Sequence, residues 1–246
     1  NRIEGLKDYI EEAEWKSVFE TEPTGRFSSP LRVGMYDVPR FAYSSAMLYA
    51  NQVGLVSDAS ALNVESQTYL TQAETILKQR NYHVFQTDIL KKDIELGTLD
   101  IAFTYVGDFF DTFLILTEDA TTEEEARQLT SHIGVYVPES TIAFFDGMII
   151  PKDAKNVDLA HQFIDWFLDP ENAYENSGIV GYTTTLQSVY DTIYNGTQGD
   201  LVRKVMVREY PYNPMTSLDF QARPLLAFSD SFTDSITTML NRVKTN

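Results

Sequence analysis

The sequence predicts an α/β protein, and three observations carry that prediction. Apolar residues recur at helical spacing in several segments, short β-rich runs fall between them, and no apolar stretch approaches the roughly 20 residues a membrane-spanning helix needs. Alternation of the two periods is the signature of helices layered on a sheet. The 246 residues, 43% apolar and 13% aromatic, suffice for a packed core in one large domain or two modest ones.

Leu6, Tyr9, Ile10 and Ala13 fall on one face of a first helix. Thr21–Pro30, with Gly25 and a proline at positions 23 and 30, breaks it into a loop. Leu31–Tyr36 reads as a short strand, and the Asp37-Val38-Pro39-Arg40 turn feeds a helix running to about Gly54. The next helix is expected to start near Asn63, with Tyr69, Leu70, Ala73, Ile76 and Leu77 as its buried stripe. Val84 and Phe85 mark a brief strand, and Ile89–Leu96 a short helix ended by Gly97.

Leu99–Tyr105 alternates as a strand should and stops at Gly107-Asp108, where a helix carrying Phe109, Phe110 and Phe113 begins. Thr121–Gln128 holds the densest acidic run, a solvated first turn in which Thr121 and Glu124 are spaced as a capping box. Ile133–Val137 and Gly147–Ile150 are strand candidates on either side of Phe144-Phe145-Asp146. Asn156 then caps an amphipathic helix bearing Val157, Ala160, Phe163, Ile164 and Phe167, which ends before Pro170. Leu225, Phe228, Phe232, Met239, Leu240 and Val243 form a long C-terminal helix, and no internal repeat or low-complexity linker interrupts the chain.

Charge and residue types exclude several functions. Nineteen Lys and Arg against 36 Asp and Glu give a net charge of −17, with no basic stripe to track a phosphate backbone, so nucleic acid is not an expected partner. The absence of cysteine removes disulfides, thiolate metal cages and a Cys nucleophile. There is no GxSxG, HExxH, GxxxxGK[ST] or GxGxxG motif. His83, His132 and His161 stand isolated in different elements, so no metal or catalytic cluster is expected. Carboxylates are so abundant that an acid–base pair carries almost no signal.

Aromatics beside single carboxylates at strand ends are more informative. Tyr105 precedes Gly107-Asp108, Phe144 and Phe145 precede Asp146, and Tyr182 follows Gly181 in a loop after a helix. Open α/β sheets bind ligands outside their strand ends, and an aromatic face with a carboxylate suits an organic ammonium. On pattern alone the same aromatics serve equally well as ordinary core.

Further blocks carry a family resemblance. Asp146-Gly-Met-Ile-Ile-Pro-Lys-Asp-Ala-Lys-Asn156, Ala160-His-Gln-Phe-Ile-Asp-Trp-Phe-Leu-Asp-Pro-Glu-Asn-Ala173 and Val180-Gly-Tyr182 occur in that order. Tyr36-Asp-Val-Pro-Arg40, Glu95-Leu-Gly97, Leu99–Asp108 and Tyr136-Val-Pro-Glu139 precede them. Together they resemble the spermidine/putrescine-binding proteins of bacterial ABC importers, mainly their C-terminal lobe, over roughly residues 31 to 245.

The resemblance implies a periplasmic-binding-protein type II fold, in which two α/β lobes, each a mixed sheet flanked by helices, close on a ligand. Residues 1–145 and 193–246 would form the second lobe, and 146–192 would return to the first. Most of that first lobe is then missing, and the chain is expected to be a fragment of a longer protein or a trimmed fold. Asp146 takes the place of a carboxylate holding a polyamine amino group, Tyr105 and Phe144 take places of rings stacked on the methylene chain, and Tyr182 and Gln221 fall on ligand-contacting positions. Val38 and Phe41 stand where two further acids are expected, implying a shorter, less charged or different ligand.

A small cationic, polyamine-like solute and a membrane ABC permease are the implied partners. No cofactor, metal or catalytic residue is implied, and the place of action is extracytoplasmic, with a lipid anchor or a permease fusion as tether. Without a first lobe, Phe163, Ile164 and Phe167 would lie uncovered, inviting pairing with another chain or with a missing upstream portion, or self-association through 146–192. Two other readings use the same scaffold: a ligand-free docking module and a carboxylate-dependent hydrolase.

Overall fold

The computed structural model describes residues 3–144, 146–180, 182, 184–195 and 221–245. They fall into two compact units, one drawn from Asn1–Thr104, Tyr136–Phe144 and Pro214–Asn246, the other from Tyr105–Val135 and Phe145–Asn213. Among the described residues no helix is long and apolar enough to cross a membrane.

The first unit is built on β1 (Val33–Tyr36), which lies between β2 (Val84–Gln86) and β3 (Ile101–Ala102). Both pairings are parallel, with Gly34 opposite Val84 and Val33 opposite Ile101. All four β1 residues are buried, as expected for a parallel strand covered on both faces. Gly34 is required there, because a Cβ would come within 2.7 Å of methyl groups of both Leu90 and Leu99.

Around this sheet lie α1 (Leu6–Ala13), α2 (Lys16–Phe19), α3 (Pro39–Gln52), a 3-10 turn at Ala59–Asn63, α4 (Gln67–Leu77) and α5 (Ile89–Leu96). Helix α3 is the central one. Pro39 opens it, where the missing N–H costs nothing, and every residue from Ala42 to Ala50 is buried. Small residues at 42, 44, 45, 46 and 50 let its neighbours approach, and the Ser44 and Ser45 hydroxyls donate to the carbonyls of Arg40 and Phe41. The helix expected from Asn63 starts four residues later. Asp58 accepts from the Ser60 amide and Ser66 from the Tyr69 amide, so two caps divide the stretch into the 3-10 turn and α4.

Strand β3 is shorter than the alternation over Leu99–Tyr105 predicts. Phe103 N still donates to Gly34 O at 3.1 Å, but Tyr105 serves as the N-cap of the next helix, which ends the extended run. Among the described residues the strand expected over Ile133–Val137 is absent, and the strand that follows it is β4 (Ser140–Ala143), which has a partner. That partner is β5 (Gln221–Pro224), paired in parallel with Ser140 opposite Gln221 and Ala143 opposite Pro224. The resemblance implies a mixed sheet; among the described residues every pairing is parallel.

The C-terminal helix, α11 (Asp230–Lys244), begins later than Leu225 because Ser229 caps it. It buries Phe232, Ile236, Met239, Leu240 and Val243 in the core that includes α3 and α4. Charged pairs lock its end: Arg242 to Glu74, and Lys244 to Asp37 at 2.6 Å. The Arg80–Glu22 ion pair, at 3.0 Å, is buried, and Arg80 also donates to the carbonyls of Glu20 and Leu31.

The second unit is helical among the described residues: α6 (Val106–Leu116), α7 (Glu123–Thr130), α8 (Val157–Phe167), α9 (Pro170–Val180) and α10 (Gln187–Asn195). Phe109, Phe110, Phe113, Ala173, Val189 and Ile193 form its core. The capping box of α7 is one residue further on than the Thr121–Glu124 spacing: Thr122 accepts from Glu125 N, and the Glu125 carboxylate accepts from Thr122 N. That carboxylate also takes the amide and hydroxyl of Thr121, so the preceding residue is held too. Asn156 is the N-cap residue of α8, but its side chain makes no cap bond. Gly147–Ile150, expected as a strand, has no strand partner among the described residues.

Candidate ligand-binding site

Tyr105 ends the extended run after β3, and its own extended backbone, φ −76° and ψ 146°, is the usual conformation of a helix N-cap residue. Tyr182 follows α9 in the chain, and its ring meets the Tyr105 ring edge to face, 6.5 Å between centroids at 73°. Gly107, in the first turn of α6, makes room for this, since a Cβ there would overlap the Tyr182 ring. Both tyrosines are half-buried. The second unit therefore presents an aromatic corner at the start of α6. Asp108, in the first turn of α6, offsets the positive end of the helix dipole.

Phe144 follows directly on β4 in the first unit and is half-buried. Its strand is fixed from several sides. Trp15 Nε1 donates to Ser140 O at 2.7 Å, and the Trp15 ring packs edge to face on Phe103. Next to it, the Glu14 carboxylate accepts from Tyr136 Oη at 3.0 Å and Glu139 N at 3.2 Å. Burial, reinforced by that carboxylate, pushes the Tyr136 phenol well above its ordinary range. Glu14 holds its position at φ +51° and ψ −124°, a positive φ uncommon for a residue with a Cβ.

Gln221 opens β5, and its side chain lies outside the described residues. The exit of β5 is clamped by Asn63, which donates to Pro224 O at 2.8 Å and accepts from Leu226 N at 2.9 Å. Arg40 completes the clamp by donating to Leu62 O, Asn63 Oδ1 and Leu226 O, with its guanidinium 3.9 Å from the Phe228 ring centroid. Burial lowers its pKa to about 10, which leaves it charged at neutral pH.

Asp146 is exposed, on the segment without regular secondary structure that leads to α8. Tyr105 and Tyr182 are brought into direct contact; Gln221 opens β5, and Phe144 follows directly on β4.

The turn after β1 supplies no spare carboxylate. Val38 is the extended N-cap of α3, Phe41 packs edge to face on Tyr36, and Asp37 is engaged by Lys244. Sequence reasoning gave Gly107 no role beyond ending a strand, and missed Lys244 and Glu14. The Tyr-x-Gly spacing at 105–107 was the available signal for the first, whereas the other two act across 207 and 122 residues of chain. Among the described residues no group of His, Asp or Glu is placed to hold a metal ion.

Comparison with known proteins gives a consistent picture. The profile of bacterial extracellular solute-binding proteins matches residues 3–198. The putrescine/cadaverine-binding protein of Pseudomonas aeruginosa is 26% identical over 186 residues, 75% of this chain and 48% of that protein. The putrescine-binding periplasmic protein of Escherichia coli is 24% identical over 159 residues, 64% of this chain and 39% of that one. The chain thus spans less than half the length of either curated relative.

Among solved structures, a Listeria monocytogenes protein that carries the spermidine/putrescine ABC transporter name superimposes with a TM-score of 0.61 at 21% identity. It is matched over 87% of this chain and 57% of its own. The Tp0655 lipoprotein of Treponema pallidum gives a TM-score of 0.56 at 20% identity, over 88% of this chain and 58% of its own. These likenesses establish the fold.

Proposed function

The chain belongs to the bacterial extracellular solute-binding protein family, and from that premise we propose that it binds a small organic cation of the polyamine class for delivery to a membrane ABC permease. The observation that carries the ligand class is the Tyr105–Tyr182 corner seated on Gly107. An edge-to-face tyrosine pair offers π faces to an alkylammonium, each contact contributing about 0.5–2 kcal/mol according to desolvation. The names of both curated relatives, which bind putrescine or cadaverine, support the same class.

In this reading Asp146 receives the ammonium, Tyr105, Phe144 and Tyr182 line the methylene chain, and Gln221 adds a polar contact. Residues 1–145 and 193–246 belong to one lobe, with 146–192 returning to the other. Binding shifts the population towards a closed arrangement of lobes, because only that arrangement contacts the ligand from both sides. The protein acts outside the cytoplasm, tethered by a lipid or by fusion to its permease, and its chemistry is binding rather than catalysis.

The turn bearing Val38 and Phe41 shapes the specificity. With Asp37 neutralised by Lys244, no carboxylate of this turn is left for a second ammonium, and an unpaired buried ammonium is costly. We therefore assign a preference for a monoamine or a short diamine over spermidine. Titration calorimetry with butylamine, putrescine, cadaverine and spermidine tests both parts. Binding in the micromolar range or tighter, weakest for spermidine, is the expected result; a folded protein that binds none of the four overturns the ligand class.

A further inference from the structure

The carboxyl end of β1 already holds an alkylammonium, one that belongs to the chain itself. Asp37 is the first residue after β1, and Lys244, the last residue of α11, places its Nζ 2.6 and 2.9 Å from the two Asp37 oxygens. A lysine side chain is a butylammonium group tied to a backbone. The pair therefore has the chemistry of a carboxylate holding the end of an aliphatic amine.

Position points to a ligand seat. β1 is the central strand of its parallel sheet, and open α/β sheets take ligands outside the carboxyl ends of their strands. The Asp37 amide donates to Gln86 O at 2.9 Å, which fixes the residue on the sheet. Tyr36 and Phe41, on either side of it in the chain, pack edge to face with 6.1 Å between centroids. Aromatic rings beside a carboxylate suit an organic ammonium.

Lys244 is held lightly. Among the described residues Asp37 is its one charged partner, and the two side chains remain 33% and 27% exposed. Water replaces either member of such a pair at small cost. The buried Arg80–Glu22 pair has no such freedom. Nor is Lys244 needed to fasten α11, because Arg242 already ties the end of that helix to both Glu74 oxygens.

We infer that Asp37 is a seat for a ligand ammonium kept filled by Lys244, and that Lys244 sets amine selectivity as a tethered competitor. A ligand with a single ammonium has no need of this seat, whereas a further ammonium must displace the lysine to reach it. The inference rests on the amine reading above and deepens it, by placing selectivity in a residue of α11 and not solely in the acids absent at 38 and 41.

The test is titration calorimetry of the natural-length protein with butylamine and spermidine, with urea unfolding of each variant alongside. Lys244→Met keeps an aliphatic stem and removes the charge. It is expected to raise spermidine affinity relative to butylamine about 10- to 100-fold, the contribution of one charge-assisted bond. Lys244→Arg leaves a cation on Asp37 and should hold the ratio within about twofold of the parent. Asp37→Asn added to Lys244→Met should return the ratio to the parent value. An unchanged ratio in Lys244→Met, or a raised one that survives Asp37→Asn, overturns the inference and leaves the amine reading standing. A folded parent that binds neither amine removes the reading, and the inference with it. If Lys244→Met does not fold, Lys244→Gln carries the same expectation. Failure of both to fold overturns the inference, since the pair is then structural.

Discussion

Gly107 gives the Tyr182 ring its seat on the first turn of α6, where any Cβ would overlap it. One missing methyl group thereby sets the meeting of Tyr182 with Tyr105. Gly107→Ala forces the ring aside or distorts the turn, at a cost of about 1–3 kcal/mol. Urea unfolding should register that loss, and affinity for a short amine should fall by tenfold or more.

Direct removal of site groups separates charge from stacking. A charge-assisted bond contributes about 1.5–3 kcal/mol, so Asp146→Asn is expected to weaken amine binding about 10- to 100-fold. Tyr105→Ala and Tyr182→Ala should each cost about 2- to 30-fold, the range of one cation–π contact. Tyr182→Phe keeps the ring and should bind almost as well as the parent. If Asp146→Asn binds putrescine unchanged by calorimetry, Asp146 does not hold the ammonium.

Acids restored to the turn after β1 should broaden the ligand range. Val38→Asp or Phe41→Asp supplies a partner for a second ammonium and should improve spermidine affinity relative to butylamine by about tenfold. Competition binding between the two amines measures the ratio directly.

Acid sensitivity is predicted at the end of α11. The Arg242 hydrogen bond, with Lys78 adding to it and partial burial opposing, lowers the Glu74 carboxyl to about 2. A depressed carboxylate stabilises the fold above its unfolded value, near 4.5, and that contribution disappears as pH falls towards 2. Glu74→Gln should cost about 1–2 kcal/mol at pH 7, discounted because Arg242 is half exposed. The gap between parent and variant in urea unfolding should narrow steadily from pH 5 to pH 2.

The buried pair offers a sharper contrast. Arg80→Met leaves the Glu22 carboxylate, 7% exposed, without its cation and is expected to cost about 3–5 kcal/mol. Arg80→Met combined with Glu22→Gln removes the stranded charge and should recover part of that loss, as chemical denaturation will show.

The sequence was most readable where a local rule acts. Helical stripes such as Leu70, Ala73, Ile76 and Leu77 lie buried as the 3.6 period requires, and Gly97 ends α5 at φ +72°. Strands were harder, because a strand exists only where another pairs with it. Ser140–Ala143 gains that status from Gln221–Pro224, whose terminal proline reads locally as a breaker. Caps shifted by one to four residues, since Thr121 and Thr122 compete for the same Glu125 oxygens. For the site, the motif placed Tyr105 and Tyr182 separately, but their meeting and the Asp37–Lys244 pair depend on distant chain coming together.

The pairing of Ser140–Ala143 with Gln221–Pro224, followed by burial of Ile236 and Met239, has a consequence for biosynthesis. The first unit cannot close its core until residues 221–244 have been synthesised, because they supply β5 and α11 to it. The intervening helices appear first and are free to condense on Phe110 and Phe113. Assembly is therefore expected to run from the inserted helices outward, with residues 3–104 waiting, partly unfinished, for residues 221–244.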